Sequence, residues 1–155
     1  MDEKDQEILH LLEENGRLPL RELASGLALP EDEVEERIRA LEESRVIRKY
    51  TAVIDWERAG ASRVSAIIDL KIAPERDLGY DKIAERVARF RQVKALYLVS
   101  GVYDLHVLVS GKDMNEVSRF VSEQIAPMDH IRETATHIIM KTYKENGNPF
   151  FEKEG

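Results

Sequence analysis

The stretch Val64-Ser65-Ala66-Ile67-Ile68-Asp69-Leu70-Lys71-Ile72 decides the fold. Its side chains alternate with a near-perfect period of two, the pattern of a strand. Working forward, Pro74 to Gly79 reads as a loop and Tyr80 to Phe90 as an amphipathic helix with Ile83, Val87 and Phe90 on one side. Val93 to Val99 is a second strand, Ser100-Gly101-Val102-Tyr103-Asp104 a turn, and Leu105 to Val109 a third strand. Gly111-Lys112-Asp113 leads into a second helix. Val117, Phe120, Val121 and Ile125 form its buried side, and Pro127 ends it. A last strand runs from about Glu133 to Tyr143. The order is βαββαβ, which implies an antiparallel four-stranded, ferredoxin-like sheet with two helices on one face. The tail from Glu145, with Asn146-Gly147-Asn148-Pro149, is expected to be loose or to lie on a partner.

Helices can cover only one face of that sheet. Leu96-Tyr97-Leu98-Val99 and Val107-Leu108-Val109 are apolar on both faces. In a chain this short a second copy is the natural cover, so a homodimer through the open face is expected.

Working backward, the first sixty residues read as mostly helical. Ile8, Leu11 and Leu12 recur at helical spacing, and Asn15-Gly16 stops that helix as a left-handed C-terminus. A second helix spans about Leu20 to Leu27, with Pro19 near its first turn. Ala28-Leu29-Pro30 is a tight turn, and a third helix starts at Pro30 or Glu31 with the apolar stripe Val34, Ile38, Leu41. Val46-Ile47 and Tyr50 to Ile54 read as strand. Three helices with so short a turn between the last two suggest a helix-turn-helix. The fold class is therefore α+β. Its expected parts are a winged helix-turn-helix at 1–48, a strand linker at 49–61, the βαββαβ domain at 62–145 and a tail at 146–155.

Composition narrows the function classes. The 155 residues contain no Cys, which excludes disulfides, thiolate metal sites and cysteine nucleophiles. Hydrophobic residues make up 43 %, enough for a packed core. The apolar runs fall far short of the roughly 20 residues that span a bilayer. The acidic start Met1-Asp2-Glu3-Lys4-Asp5-Gln6-Glu7 is not a signal peptide, so a soluble, cytoplasmic protein is expected.

Four stretches, in order and correctly spaced, carry a family likeness. They are Met1 to Leu9; Leu20-Arg21-Glu22-Leu23-Ala24 with Val34 to Glu42; Val46-Ile47-Arg48-Lys49-Tyr50-Thr51-Ala52-Val53-Ile54-Asp55; and Ser100 to Leu105. Together they resemble the Lrp/AsnC, or feast/famine, transcription regulators over almost the whole chain. The resemblance implies a DNA-binding winged helix and a ligand-sensing βαββαβ domain of the RAM type. It also implies dimerisation through the sheet, assembly of dimers into tetramers or octamers, and an amino-acid effector held where dimers meet.

The charge distribution conflicts with DNA binding. Of the net charge of −7, all falls in residues 1–60, which carry 9 basic and 16 acidic side chains. The recognition helix opens with Glu31, Asp32, Glu33, Glu35 and Glu36, which repel phosphates. The cations available for double-stranded DNA are Arg37, Arg39, Arg45, Arg48 and Lys49, so weak, salt-sensitive binding is expected. Where Ala28, Arg45 and Lys49 stand, the family commonly has Gly.

For the effector, Gly101, Val102, Tyr103 and Asp104 form the candidate turn, with Asp104 able to accept from an α-amino group. Thr134 and Thr136 add hydroxyls. Asp104 is equally able to hydrogen-bond backbone. His10, His106, His130 and His137 form no metal-ligand spacing and read as structural. No catalytic motif is present, so neither an enzyme nor a cofactor is expected. Two other readings remain: a ligand sensor that has lost DNA binding and works through protein contacts, and a siroheme-decarboxylase-like enzyme.

Overall fold

A computed structural model of the chain describes residues 1–73 and 79–151. Pro74 to Leu78, most of the loop expected before the first sheet helix, lie outside the described residues. The chain divides into two units. One comprises Met1–Val53 and Lys144–Pro149, and the other is built on Ile54–Tyr143.

The first unit contains α1 (Glu3–Glu14), α2 (Leu20–Leu27) and α3 (Glu31–Glu43). A capping box starts α1: the Asp2 carboxylate accepts from the Asp5 amide, and Asp5 accepts from the Asp2 amide. The expected left-handed stop at Asn15 is corrected, since Asn15 is extended (φ −146°). Its side chain instead accepts from the Arg17 amide at 3.0 Å, a local turn that ends the helix. Ala28, just past α2, does adopt the left-handed conformation (φ 55°), and its N–H closes onto Ala24 and Ser25 carbonyls. Pro30, with its fixed φ of −63°, then launches α3. Ile8, Leu23, Leu27, Val34 and Leu41 are buried together, with Ile38 and Ile47 packed on them.

Residues 46–54 form no strand, contrary to expectation. The stretch has no hydrogen-bonding neighbour strand among the described residues, and the Tyr50 ring packs beside Gly16 instead, where an added Cβ would meet it at 3.4 Å. The linker 49–61 likewise contains no strand; residues 56–60 are turns. The expected loose tail is ordered through Pro149. β5 (Lys144–Glu145) pairs with β6 (Asn148–Pro149) across Asn146 and Gly147, both at positive φ (48° and 79°). That is the backbone of a tight type I′ hairpin, which Asn-Gly favours.

The second unit has the expected βαββαβ order. Its elements are β1 (Val64–Ile72), α4 (Gly79–Ala88), β2 (Val93–Leu98), β3 (Leu105–Gly111), α5 (Met114–Phe120) and β4 (Ile131–Ile138). A π-helical turn, Val121–Ile125, continues α5. β4 ends at Ile138, earlier than the expected Tyr143. The sheet order is β2-β3-β1-β4, antiparallel throughout. Ala66, Ile68, Leu70 and Ile72 from β1 and Leu105, Val107 and Val109 from β3 point into one core. Ile83, Val87, Val117, Phe120, Val121 and Ile125 close it from the helices.

The other face of the sheet presents Ile67, Asp69, Leu108, His106, Tyr97 and His137. Of these Tyr97 is 56 % exposed.

Candidate functional site

The five cations expected at DNA occupy different environments. Arg39, Arg45, Arg48 and Lys49 are exposed and have no ion-pair partner among the described residues. Arg45 follows the α3 cap in the left-handed region (φ 65°), and its N–H donates to the Glu42 carbonyl. A β-carbon is unfavourable there, which is the physical reason that glycine suits this position.

Arg37 is different. Its Nη1 donates to both Asp2 carboxylate oxygens at 2.9 Å and to Asp5 at 3.1 Å, while Nε and Nη2 donate to Glu33 at 3.3 and 3.1 Å. Every guanidinium nitrogen is thus committed within the unit. The three carboxylates raise the Arg37 pKa further above its ordinary range. The Asp5 N–H and then Arg37 hold the Asp2 carboxyl below the usual range. Arg37 therefore clamps the start of α1 to α3 and offsets Asp2, Asp5 and Glu33, of which only Glu33 lies on α3. Glu31, Asp32, Glu35 and Glu36 stay exposed. Tyr50, whose hydroxyl lies 3.4 Å from Glu42, has its pKa raised by burial and by that carboxylate.

In the second unit the turn Ser100–Asp104 joins β2 to β3. Gly101 adopts φ 135°, a conformation that side chains rarely reach. Val102 is 78 % exposed, and its carbonyl accepts from Lys71 Nζ at 2.8 Å. Tyr103 and Asp104 are half-buried. Asp104 does bond backbone: Oδ2 accepts from the Ile72 amide at 2.8 Å, where the β1–β4 register slips. Its Oδ1 has no hydrogen-bond partner among the described residues.

Thr134 lies in the cross-strand row Leu98–Leu105–Leu70–Thr134, at the same end of the sheet as Asp104. Thr136 lies two residues away, opposite Ile68. The sheet therefore brings Thr134 towards the turn and leaves Thr136 a row further off.

Sequence reasoning missed one cluster. Asp69 on β1 sits directly between β3 and β4. Its Oδ1 is 2.8 Å from His106 Nδ1, and its Oδ2 is 3.3 Å from His137 Nε2. The alternation of β1 already placed Asp69 on the open face, and the βαββαβ order placed β1 between the two histidine strands. Combining those two statements would have found it. No group of three His, Cys, Asp or Glu side chains among the described residues is arranged to hold a metal. No helix among them is long and apolar enough to cross a membrane.

Comparison with known proteins decides the family. The AsnC-type helix-turn-helix domain matches residues 1–42, and the Lrp/AsnC ligand binding domain matches residues 65–149. The chain belongs to the Lrp/AsnC family. As a member it is a transcriptional regulator, not an enzyme, with a DNA-binding helix-turn-helix and a domain that binds a small-molecule effector. The uncharacterized regulator YugG of Bacillus subtilis is 44 % identical over 97 % of this chain and 91 % of its own. The regulator FL11 of Pyrococcus horikoshii is 34 % identical over 94 % of this chain and 93 % of its own. Among solved structures, the Neisseria meningitidis regulator NMB0573 in complex with L-Met superposes with a TM-score of 0.75 at 26 % identity. That match covers 96 % of this chain and 95 % of the Neisseria chain.

Proposed function

We propose that this Lrp/AsnC regulator reads DNA through α3 with a phosphate clamp made of Arg39, Arg45, Arg48 and Lys49. Arg37 serves that contact indirectly, by fixing α3 against α1. The observation that carries this reading is the division of labour among the cations: one is consumed by three carboxylates, while four stand exposed on or just beyond α3. The exposed acids keep the affinity low and strongly salt-dependent. A gel-shift titration of the protein's own promoter region at rising salt tests this. Complex that forms near 50 mM salt and disappears steeply above it is the expected result. No shift at low salt, with or without amino acids, would favour a regulator acting through protein contacts.

The effector is an amino acid bound at the turn Gly101–Asp104, with Thr134 nearby. Asp104 Oδ1 suits an α-amino group, and the glycine-opened backbone suits the carboxylate. The L-Met complex of the Neisseria relative supports this ligand class. The chain acts in the cytoplasm as a homodimer through the open sheet face, with dimers joining into tetramers or octamers. The exposed Tyr97 beside half-buried Ile67 and Leu108 supports that interface. Thermal-shift screening of the twenty amino acids, followed by sedimentation with any hit, tests effector and assembly together. A stable monomer at micromolar concentration would refute the interface.

A further inference from the structure

A cavity of about 880 Å³ opens in the second unit, at the end of β3 opposite the Gly101–Asp104 turn. That volume is in the range of small-molecule sites. Three parts of the chain wall it: the stretch from Trp56 to Arg63 before β1, the Arg91–Lys94 junction into β2, and the end of β3 with α5.

Its lining contains five cations, Arg63, Arg91, Lys94, Lys112 and Arg119, and three acids, Asp113, Glu116 and Glu123. All three acids are already used. Asp113 Oδ1 accepts from the Glu116 amide at 2.8 Å and so caps α5. Glu116 accepts from the Lys112 amide at 2.8 Å and meets Arg91 at 3.5 Å. Glu123 meets Arg119 at 3.6 Å.

The cations are not balanced in the same way. Arg63, Lys94 and Lys112 have no carboxylate within ion-pair distance among the described residues. Arg63 Nη2 donates only to the Ser110 hydroxyl at 3.3 Å, and its guanidinium stacks 4.8 Å from the centre of the Trp56 ring. That stacking holds the planar fork in place, which lowers the cost of using it on an oxyanion. Lys94 Nζ reaches only the Arg91 carbonyl at 3.3 Å.

From this we infer that the cavity is a second ligand site of the regulator, one that takes a small polyanion bearing phosphate or several carboxylates. Three uncompensated cations facing one concave space, beside amide side chains from Gln92, Asn115 and Gln124, match such a molecule in charge and hydrogen-bonding capacity. A zwitterionic amino acid would leave the cations unmatched. DNA is also polyanionic, but phosphate contacts along a duplex need an extended basic surface, whereas these cations face a recess that also contains three acids. A polyanion here ties the Trp56–Arg63 stretch to α5. That stretch leads directly into β1, so occupancy restrains the approach to the sheet.

Trp56 is the only tryptophan in the chain, and it forms part of the wall. Its fluorescence therefore reports on the cavity. The full-length protein is titrated with inorganic pyrophosphate and, separately, with citrate, with L-Met as a zwitterionic control. A saturable change with one or both polyanions, and none with L-Met, is expected. Replacing both Lys94 and Lys112 by Gln weakens the polyanion by about tenfold or more, because two charge-assisted contacts are lost. Replacing Lys49 by Gln, which removes a cation in the other unit, leaves the titration unchanged. The Asp104→Ala variant also keeps polyanion binding, which separates this site from the proposed amino-acid site. A linear, unsaturable response overturns the inference, as does equal weakening by the Lys49 and cavity variants. A further overturning result is a DNA salt slope that falls on removing Lys94 and Lys112 while neither polyanion saturates, since the cations would then serve DNA.

Discussion

Arg45 is a residue pulled in two directions, and replacing it with Gly separates them. Its backbone is left-handed at the end of α3 (φ 65°). That conformation costs an ordinary L-residue about 1–2 kcal/mol. Glycine escapes this cost but gives up more chain freedom, worth about 0.5–1 kcal/mol. The balance leaves Arg45→Gly more stable by about 0.5–1 kcal/mol, read as a rise in Tm of about 1–4 °C for a chain of this size. The same replacement removes one proposed phosphate contact. The slope of log K against log salt then becomes shallower by about 0.9. Ala28→Gly is the matched control. It relieves the same kind of left-handed backbone (φ 55°) at the end of α2 and carries no charge. It raises Tm similarly and leaves the salt slope untouched. Calorimetry and fluorescence anisotropy on one DNA fragment measure both quantities. An unchanged or lower Tm in both variants would refute the strain premise. A stabilised Arg45→Gly protein with an unchanged slope would show that Arg45 is an ordinary solvated side chain.

Other perturbations test the remaining contacts. Arg37→Gln removes the clamp on Asp2, Asp5 and Glu33, so the first unit melts earlier than in wild type at neutral pH. The Asp2 carboxyl is held below its ordinary pKa in the folded chain, so its contribution is present above the unfolded value and lost as pH falls through the folded one. The gap between wild type and Arg37→Gln in Tm therefore narrows on acidification below about pH 4. Asp104→Asn keeps an acceptor for the Ile72 amide, whereas Asp104→Ala orphans it at a cost of about 1–3 kcal/mol. Both lose the amino-acid response in the thermal-shift assay, but only the Ala variant shows a lower basal Tm. Leu108→Asp places a carboxylate on the open sheet face beside Ile67, its β1 pair, and is expected to convert the proposed dimer to monomer in sedimentation.

Much of the fold was legible because it rests on local pattern. β1 and α2 have the boundaries read from the sequence, since alternation and helical spacing each persist over a whole element there. Val117, Phe120, Val121 and Ile125 are all buried, as their spacing indicated. Val46-Ile47 and Tyr50 to Ile54 look like strand by residue type, but residue type does not say whether a neighbour exists to accept a strand's hydrogen bonds. The tail hairpin was overlooked although Asn146-Gly147 is a strong turn signal. Its flanking strands are two residues each, too short to show any alternation. The site was harder to read. Arg37 meets Asp2 across 35 positions, and no short window contains that partner. By sequence Arg37 counts among five cations available to DNA, but contacts within the unit consume it. The cavity at Trp56 was invisible for the same reason, being assembled from three separate stretches of chain.

The Asp69 cluster has a consequence for which chains can assemble together. A face made only of Leu and Ile accepts any apolar surface of similar shape and permits sliding. This face has a carboxylate bridging two imidazoles, with Ile67 and Leu108 alongside. In the proposed dimer a mate must accommodate those polar groups as well as cover the apolar ones, because polar atoms buried without a partner are costly. A mate lacking polar groups there would leave the outward atoms of Asp69 and its histidines, already bonded to one another, with no further partner. In the proposed dimer the three side chains would thus favour a mate with polar groups in register over one without them.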